Sequence, residues 1–160
     1  MSENKSKKSN SYWIGLFAIL IASVFSLVLA GPKLGLWSSL PGCGPKSGCD
    51  AITNGAWGNI PIGSFLWPVS FVGLAWFVSI FSLWSRVVES PKSLLWIIRL
   101  GMVGSVGFVV VMISTGVFCK YCAVIHVCNT VLWVCAELQF RSSDTVCKDC
   151  FAKRLVFWFS

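Results

Sequence analysis

Charge is what this sequence has least of. Only 12% of its 160 residues are charged, against 56% hydrophobic, and just six are acidic. Soluble domains carry about twice that charged fraction, so a water-bathed globule is excluded for most of the chain. Lipid is the solvent these side chains suit. The thirteen basic residues give a net charge of +7, but they stand scattered between apolar runs. That scatter excludes a nucleic-acid surface and fits the flanks of membrane segments. Histidine occurs once, and no metal site is expected.

The apolar runs set the organisation. Residues 1–12 are short, polar and basic (Lys5, Lys7, Lys8). Spans are expected at about 13–30, 64–84, 94–115 and 119–138, each near the ~20 residues that cross a bilayer. The first run ends Val28-Leu29-Ala30 in signal-peptide fashion, but it is long for a signal core, so a retained helix is preferred. Pro68 is expected in the first turn of the second span, where a missing N–H costs least. Gly101, Gly104 and Gly107 in the third span suggest close helix approach. Residues 31–63 are rich in Gly, Pro, Ser and Asn and read as a long loop lying on the membrane interface. Residues 141–160 form a charged tail whose apolar patch, Leu155 to Phe159, is too short to cross a membrane.

The expected fold is therefore an all-α integral membrane bundle of four transmembrane helices with an extracytoplasmic capping loop. Lys5, Lys7, Lys8, Arg86, Lys92, Arg99, Arg141, Lys148, Lys153 and Arg154 fall on one side, and only Lys33, Lys46 and Lys120 on the other. The positive-inside rule puts both termini in the cytoplasm. Arg99 lies near the start of its span and is expected to snorkel to the interface.

Eight cysteines fall in pairs. Cys43 and Cys49 sit in the loop, and Cys119 and Cys122 open the fourth span, both on the oxidising side. A Cys-x-x-Cys forms or opens a disulfide with little backbone movement. If Cys119 precedes the first helical turn, the positive end of the helix favours its thiolate. The loop pair can then exchange with the fixed pair and hand electrons inward. Cys122, His126 and Asn129 continue along one helical stripe at offsets of four and three. An imidazole and an amide there suit the carbonyl oxygens of a quinone, a lipid-soluble two-electron acceptor. Trp57, Trp67 and Phe118 are candidates to hold its ring. Cys128 and Cys135 read as small buried hydrophobes. Cys147 and Cys150 fall on the reducing side, with two ligands where a structural metal needs four.

The order of these features resembles the vitamin K epoxide reductase family in its bacterial branch. It comprises a first span, a loop cysteine pair, the Trp67-Pro-Val-Ser-Phe-Val-Gly73 opening, a Cys-x-x-Cys at the fourth span, and Asn129 seven residues beyond Cys122. The resemblance runs from about Trp13 to Leu138, within a domain over residues 13–140. It implies a four-helix bundle around a quinone of ubiquinone or menaquinone type. It also implies a separate thioredoxin-fold periplasmic partner and residence in a bacterial inner membrane. On that pattern Cys43 exchanges with the partner, Cys49 passes electrons to Cys119, and Cys122 attacks the quinone. His126 stands where the vitamin K reductases carry tyrosine. Two other readings fit the residues: vitamin K epoxide and quinone reduction in a eukaryotic lumen, and a tetraspan structural protein whose cysteines are staples.

Overall fold

Among the described residues, four helices are long and apolar enough to cross a membrane: α1 (Asn10–Ala30), α3 (Val69–Arg86), α4 (Lys92–Thr115) and the Lys120–Gln139 part of α5 (Lys120–Trp158). The computed structural model describes residues 9–40, 43, 47–86 and 92–158, with side chains as far as Gln139. Between α1 and α3 stand a short helix α2 (Gly48–Asn54), a 3-10 turn at Ala56–Gly58, and a hairpin of β1 (Asn59–Ile62) and β2 (Phe65–Pro68). The architecture is the expected all-α membrane bundle, with one small sheet added. The basic N-terminal lysines and Lys46 lie outside the described residues, as do the side chains of Cys147 and Cys150.

Two departures from the expected boundaries have local causes. The first helix starts at Asn10 because Ser9 caps it, its Oγ accepting from the Ser11 N–H at 3.3 Å. The second starts at Val69, five residues later than residue 64. Phe65–Pro68 pairs antiparallel with Asn59–Ile62, with Ile62 opposite Phe65 and Asn59 opposite Pro68. Gly63 makes the turn at φ +61°, a conformation glycine adopts without a Cβ penalty. Proline disfavours the α region in the residue before it, so Trp67 stays extended, and Pro68 ends the ladder where no donor is needed. Pro68 thus closes a strand and does not sit in the helix. The loop is also more ordered than turns alone: Ser47 caps α2 by accepting from the Asp50 N–H at 3.4 Å. The Asn59 side chain donates to the carbonyls of Gly55 and Thr53, tying the hairpin back to α2.

Helix α1 is the axis of the bundle, packed on α3 on one side and α5 on the other, while α4 packs on α5. Gly15 of α1 admits the Trp84 ring of α3: a Cβ there would come within 2.6 Å of it. The same indole donates to the Tyr12 carbonyl at 3.2 Å and stacks on the Tyr12 ring. This fastens the end of α3 to the start of α1, so the two run antiparallel. The core here includes Ile19, Ile80, Ile98 and Leu132, with Cys128 and Cys135 buried among them as small apolar groups. Phe17, Val103 and Ile113 face outward, as lipid contact requires. Of the three α4 glycines only Gly101 meets a neighbour closely, the Trp76 indole of α3. A Cβ at Gly104 or Gly107 would meet nothing within 4 Å. The glycine repeat is not a contact stripe along its length; Gly104 lines a cavity between α3 and α4.

Arg99 does not snorkel alone. Its guanidinium pairs with Glu137 of α5 at 2.7 and 3.1 Å, lies 5.3 Å over the Trp96 ring, and the Trp133 indole donates to the same carboxylate at 3.2 Å. A charge left alone among apolar helices is expensive, and the pair answers it across 38 residues of sequence. Removing one partner, as in Glu137→Leu, should lower the Tm in detergent by several degrees. Arg99→Leu combined with Glu137→Leu should recover most of the loss, because both charges then leave together. A double variant no better than the single one would show that the pair's packing, and not its charge balance, sets the stability.

Candidate redox site

Cys119 stands immediately before α5, where the helix has backbone N–H groups without partners. Its carbonyl accepts from the Ala123 N–H at 2.9 Å and its Sγ accepts from the Cys122 N–H at 3.4 Å. The thiol thus takes the place that a Ser or Asp oxygen fills at an ordinary helix start. Its pKa is lowered from 9.0 to about 7, first by the hydrogen bond with the Cys122 thiol, then by the backbone amides of Cys122 and Tyr121 and the Lys120 charge, against the opposing effect of burial. About half the thiolate is therefore present at neutral pH. Exchange through Cys119 should rise with pH to a plateau, with its midpoint near 7, and fall below it as the thiolate is protonated. Cys122→Ala removes the largest cause and should move the midpoint toward the ordinary thiol value. A stopped-flow pH profile of exchange between the two cysteine pairs checks both.

The loop pair, Cys43 and Cys49, is joined as a disulfide with Cα atoms 6.2 Å apart, while Cys119 and Cys122 are free thiols. One pair is oxidised and the other reduced in the same molecule. Cys49 and Cys119 are both buried, at 3% and 0% exposure, in one apolar cluster with Leu29, Leu40, Ile52 and Met112. Helix α2 lies directly on the peptide before Cys119: a Cβ on Gly48 would strike the Phe118 carbonyl oxygen. The oxidised loop therefore covers the outer thiol of the Cys-x-x-Cys.

Cys122, its thiol hydrogen-bonded to that of Cys119, also reaches a cavity. With His126 and Asn129 it lines this cavity of about 320 Å³, bounded by α3, α4, α5 and the end of α1, with Ile52 and Trp57 contributed by the loop. That volume is at the lower end of small-molecule pockets. The stripe of helical offsets is brought onto one wall. Among the expected ring-holding residues only Trp57 lines the cavity; Trp76, Phe77 and Phe108 supply its other aromatic surface. Trp67, on the hairpin, is half exposed and meets Phe71 edge-on at 6.2 Å. Phe118 precedes the cap of α5 and is 69% exposed.

The polar end of the cavity holds a residue the sequence did not single out. Ser105 of α4 sits between the two polar residues of α5. Asn129 Nδ2 donates to its Oγ at 2.8 Å, and its Oγ lies 3.1 Å from His126 Nδ1. The His126 ring stacks on Phe108 at 5.9 Å, which fixes its plane. Asn129 is 2% exposed, and its Oδ1 has no hydrogen-bond partner. The sequence reading expects both His126 and Asn129 to donate; one amide N–H of Asn129 is instead used by Ser105, and the Oδ1 acceptor is left without a partner. A lone hydroxyl in the middle of an apolar span was the available signal for Ser105, but its partners lie on another helix. Comparison with protein-family models, with curated proteins and with solved structures finds no match to this chain.

Proposed function

We propose that the chain is a membrane thiol:quinone oxidoreductase, similar to the bacterial vitamin K epoxide reductase family, that supports disulfide formation in exported proteins. One observation carries the reading. An oxidised loop pair is seated over a reduced Cys-x-x-Cys whose deeper thiol opens onto a ligand-sized apolar cavity with His126 at its polar end. Disulfides that only staple loops would need neither two free thiols there nor a cavity beside one of them.

The residues suit a quinone head group: aromatic and aliphatic walls, few polar groups, and two orphaned buried polar atoms, Ser26 Oγ and Asn129 Oδ1, among them. Bound there, such a ring supplies a two-electron sink. A dithiol of a separate thioredoxin-fold partner reduces the Cys43–Cys49 disulfide, leaving the partner oxidised. Cys49 then exchanges with the Cys119–Cys122 disulfide, re-forming the loop bond and releasing two thiols. Cys122 delivers the electron pair into the cavity as the Cys119–Cys122 bond re-forms, and the two thiol protons balance the two electrons. His126 donates a hydrogen bond where negative charge develops on the acceptor oxygen. The lysine and arginine distribution supports both termini in the cytoplasm, with the loop facing the periplasm of a bacterial inner membrane.

The test is thiol trapping in membranes, with mass shifts read at both pairs. After addition of reduced thioredoxin-fold protein, both pairs should become thiols, and a soluble quinone should return them to disulfides within one assay. Pairs that stay oxidised whatever is added would reduce them to staples and remove the enzymatic reading.

A further inference from the structure

The Ser105 hydroxyl carries one proton, and its surroundings decide where that proton goes. Ser105 accepts from Asn129 Nδ2, and its own O–H has His126 Nδ1 within reach at 3.1 Å, the partner it takes when the ring is the Nε2–H tautomer. A nitrogen that accepts at Nδ1 carries its proton on Nε2 in the neutral ring. In that tautomer the cavity wall presents a donor, His126 Nε2–H, close in sequence to an unpaired acceptor, Asn129 Oδ1, and Ser26 Oγ is a second unpaired buried atom among the lining residues. His126 and Asn129 lie three apart on α5 and line the same cavity.

A carbonyl oxygen can only accept. It would pair with His126 and leave Asn129 Oδ1 buried, unpaired and facing its lone pairs, which is costly in a dry site. A hydroxyl accepts and donates, and so satisfies both. From this arrangement, and resting on the quinone-directed reading above, we infer that the cavity is built to bind the reduced ligand, a quinol hydroxyl, more tightly than the oxidised quinone. Asn129 is the residue that discriminates, and Ser105 is the positioning residue that holds the amide and imidazole in that polarity.

The preference has a direct consequence for the direction of electron flow. Tighter binding of the reduced form raises the potential of the bound couple, and a tenfold preference corresponds to about 30 mV for two electrons. The cavity would make its acceptor a stronger oxidant of Cys122 than the same molecule is in the bilayer.

The experiment is equilibrium dialysis, under anaerobic conditions, of a short-chain benzoquinone and of its quinol against the full-length chain. Cys122→Ser is used so that neither ligand reacts. The quinol should bind about tenfold tighter. Asn129→Leu and Ser105→Ala should each abolish the difference by weakening the quinol while leaving the quinone within twofold, and Ser105→Thr, which keeps the hydroxyl, should retain it. The two positions provide independent tests if one variant fails to fold. Equal affinities, or a tighter quinone, would overturn this inference and leave the proposed oxidoreductase standing. Binding of neither ligand would overturn both.

Discussion

Cys122→Ser should stop quinone-dependent oxidation of the loop pair, lowering its rate about a thousandfold or more, and accumulate a Cys49–Cys119 disulfide within the chain. Cys122 is the one sulfur among the residues lining the cavity, and a serine hydroxyl cannot deliver an electron pair. Cys119 retains its place at the start of α5, with the amides of residues 121 and 122 still favouring its thiolate. It can attack the Cys43–Cys49 disulfide beside it, releasing Cys43 as a thiolate and forming the mixed disulfide. In the native chain Cys122 resolves that bond; in the variant only the return of the Cys43 thiolate to Cys49 competes with it. Non-reducing peptide mapping would identify the link and a quinone absorbance assay the loss of rate. Retention of more than a tenth of the native rate would show that electrons leave the chain by another group. Cys128 and Cys135 are poor substitutes, since both are buried in the apolar core around Ile19 and Leu132.

The parts of this arrangement that were legible in the sequence are those whose cause is local. Four apolar runs announce four spans because crossing a bilayer demands consecutive residues. The Cys122, His126 and Asn129 stripe is legible because helical periodicity alone places offsets of four and three on one face. What escaped reading depends on residues far apart in the chain. Ser105 becomes a functional residue only when α4 brings it against residues 21 and 24 positions later. Arg99 acquires Glu137 in the same way, so a charge read as snorkelling is paired between helices. The hairpin was hidden because Phe65, Leu66 and Trp67 are as apolar as the span they precede; pairing with Asn59–Ile62, and not hydropathy, separates them from it. Trp67 and Phe118 were reasonable ring-holding candidates by residue type, but both project away from the cavity. Trp76 and Phe108, half-buried within spans and indistinguishable in sequence from lipid-facing aromatics, line it instead.

A single methyl group at Gly48 should separate the two halves of the relay. Gly48 is the first residue of α2, directly after its Ser47 cap and before Cys49. Judged by helix propensity, Gly48→Ala should stabilise α2 by up to about 1 kcal/mol. The contact with α5 predicts the opposite for function. The added Cβ meets the Phe118 carbonyl oxygen, a backbone atom in the peptide that leads into Cys119. No rotamer change can relieve that overlap, so α2 must lift from the start of α5 and carry Cys49 with it. Misplacement of reacting atoms by about 1 Å costs on the order of 10²-fold in rate. Exchange between the loop pair and Cys119 should therefore fall by that order. Reduction of Cys43–Cys49 by an external dithiol should hold or quicken, since the loop disulfide is less covered. Quinone and quinol affinities should fall far less than the exchange rate, because α2 contributes only Ile52 and Thr53 to the cavity, while His126, Asn129 and Ser105 stay in place. Only a seating role predicts a variant that accepts electrons from its partner, binds its acceptor and fails to connect the two. An unaltered exchange rate would mean that α2 delivers Cys49 by moving as a mobile arm, and that the close contact is dispensable for transfer. A loss at all three steps would mean instead that the methyl group has disordered the cap as a whole.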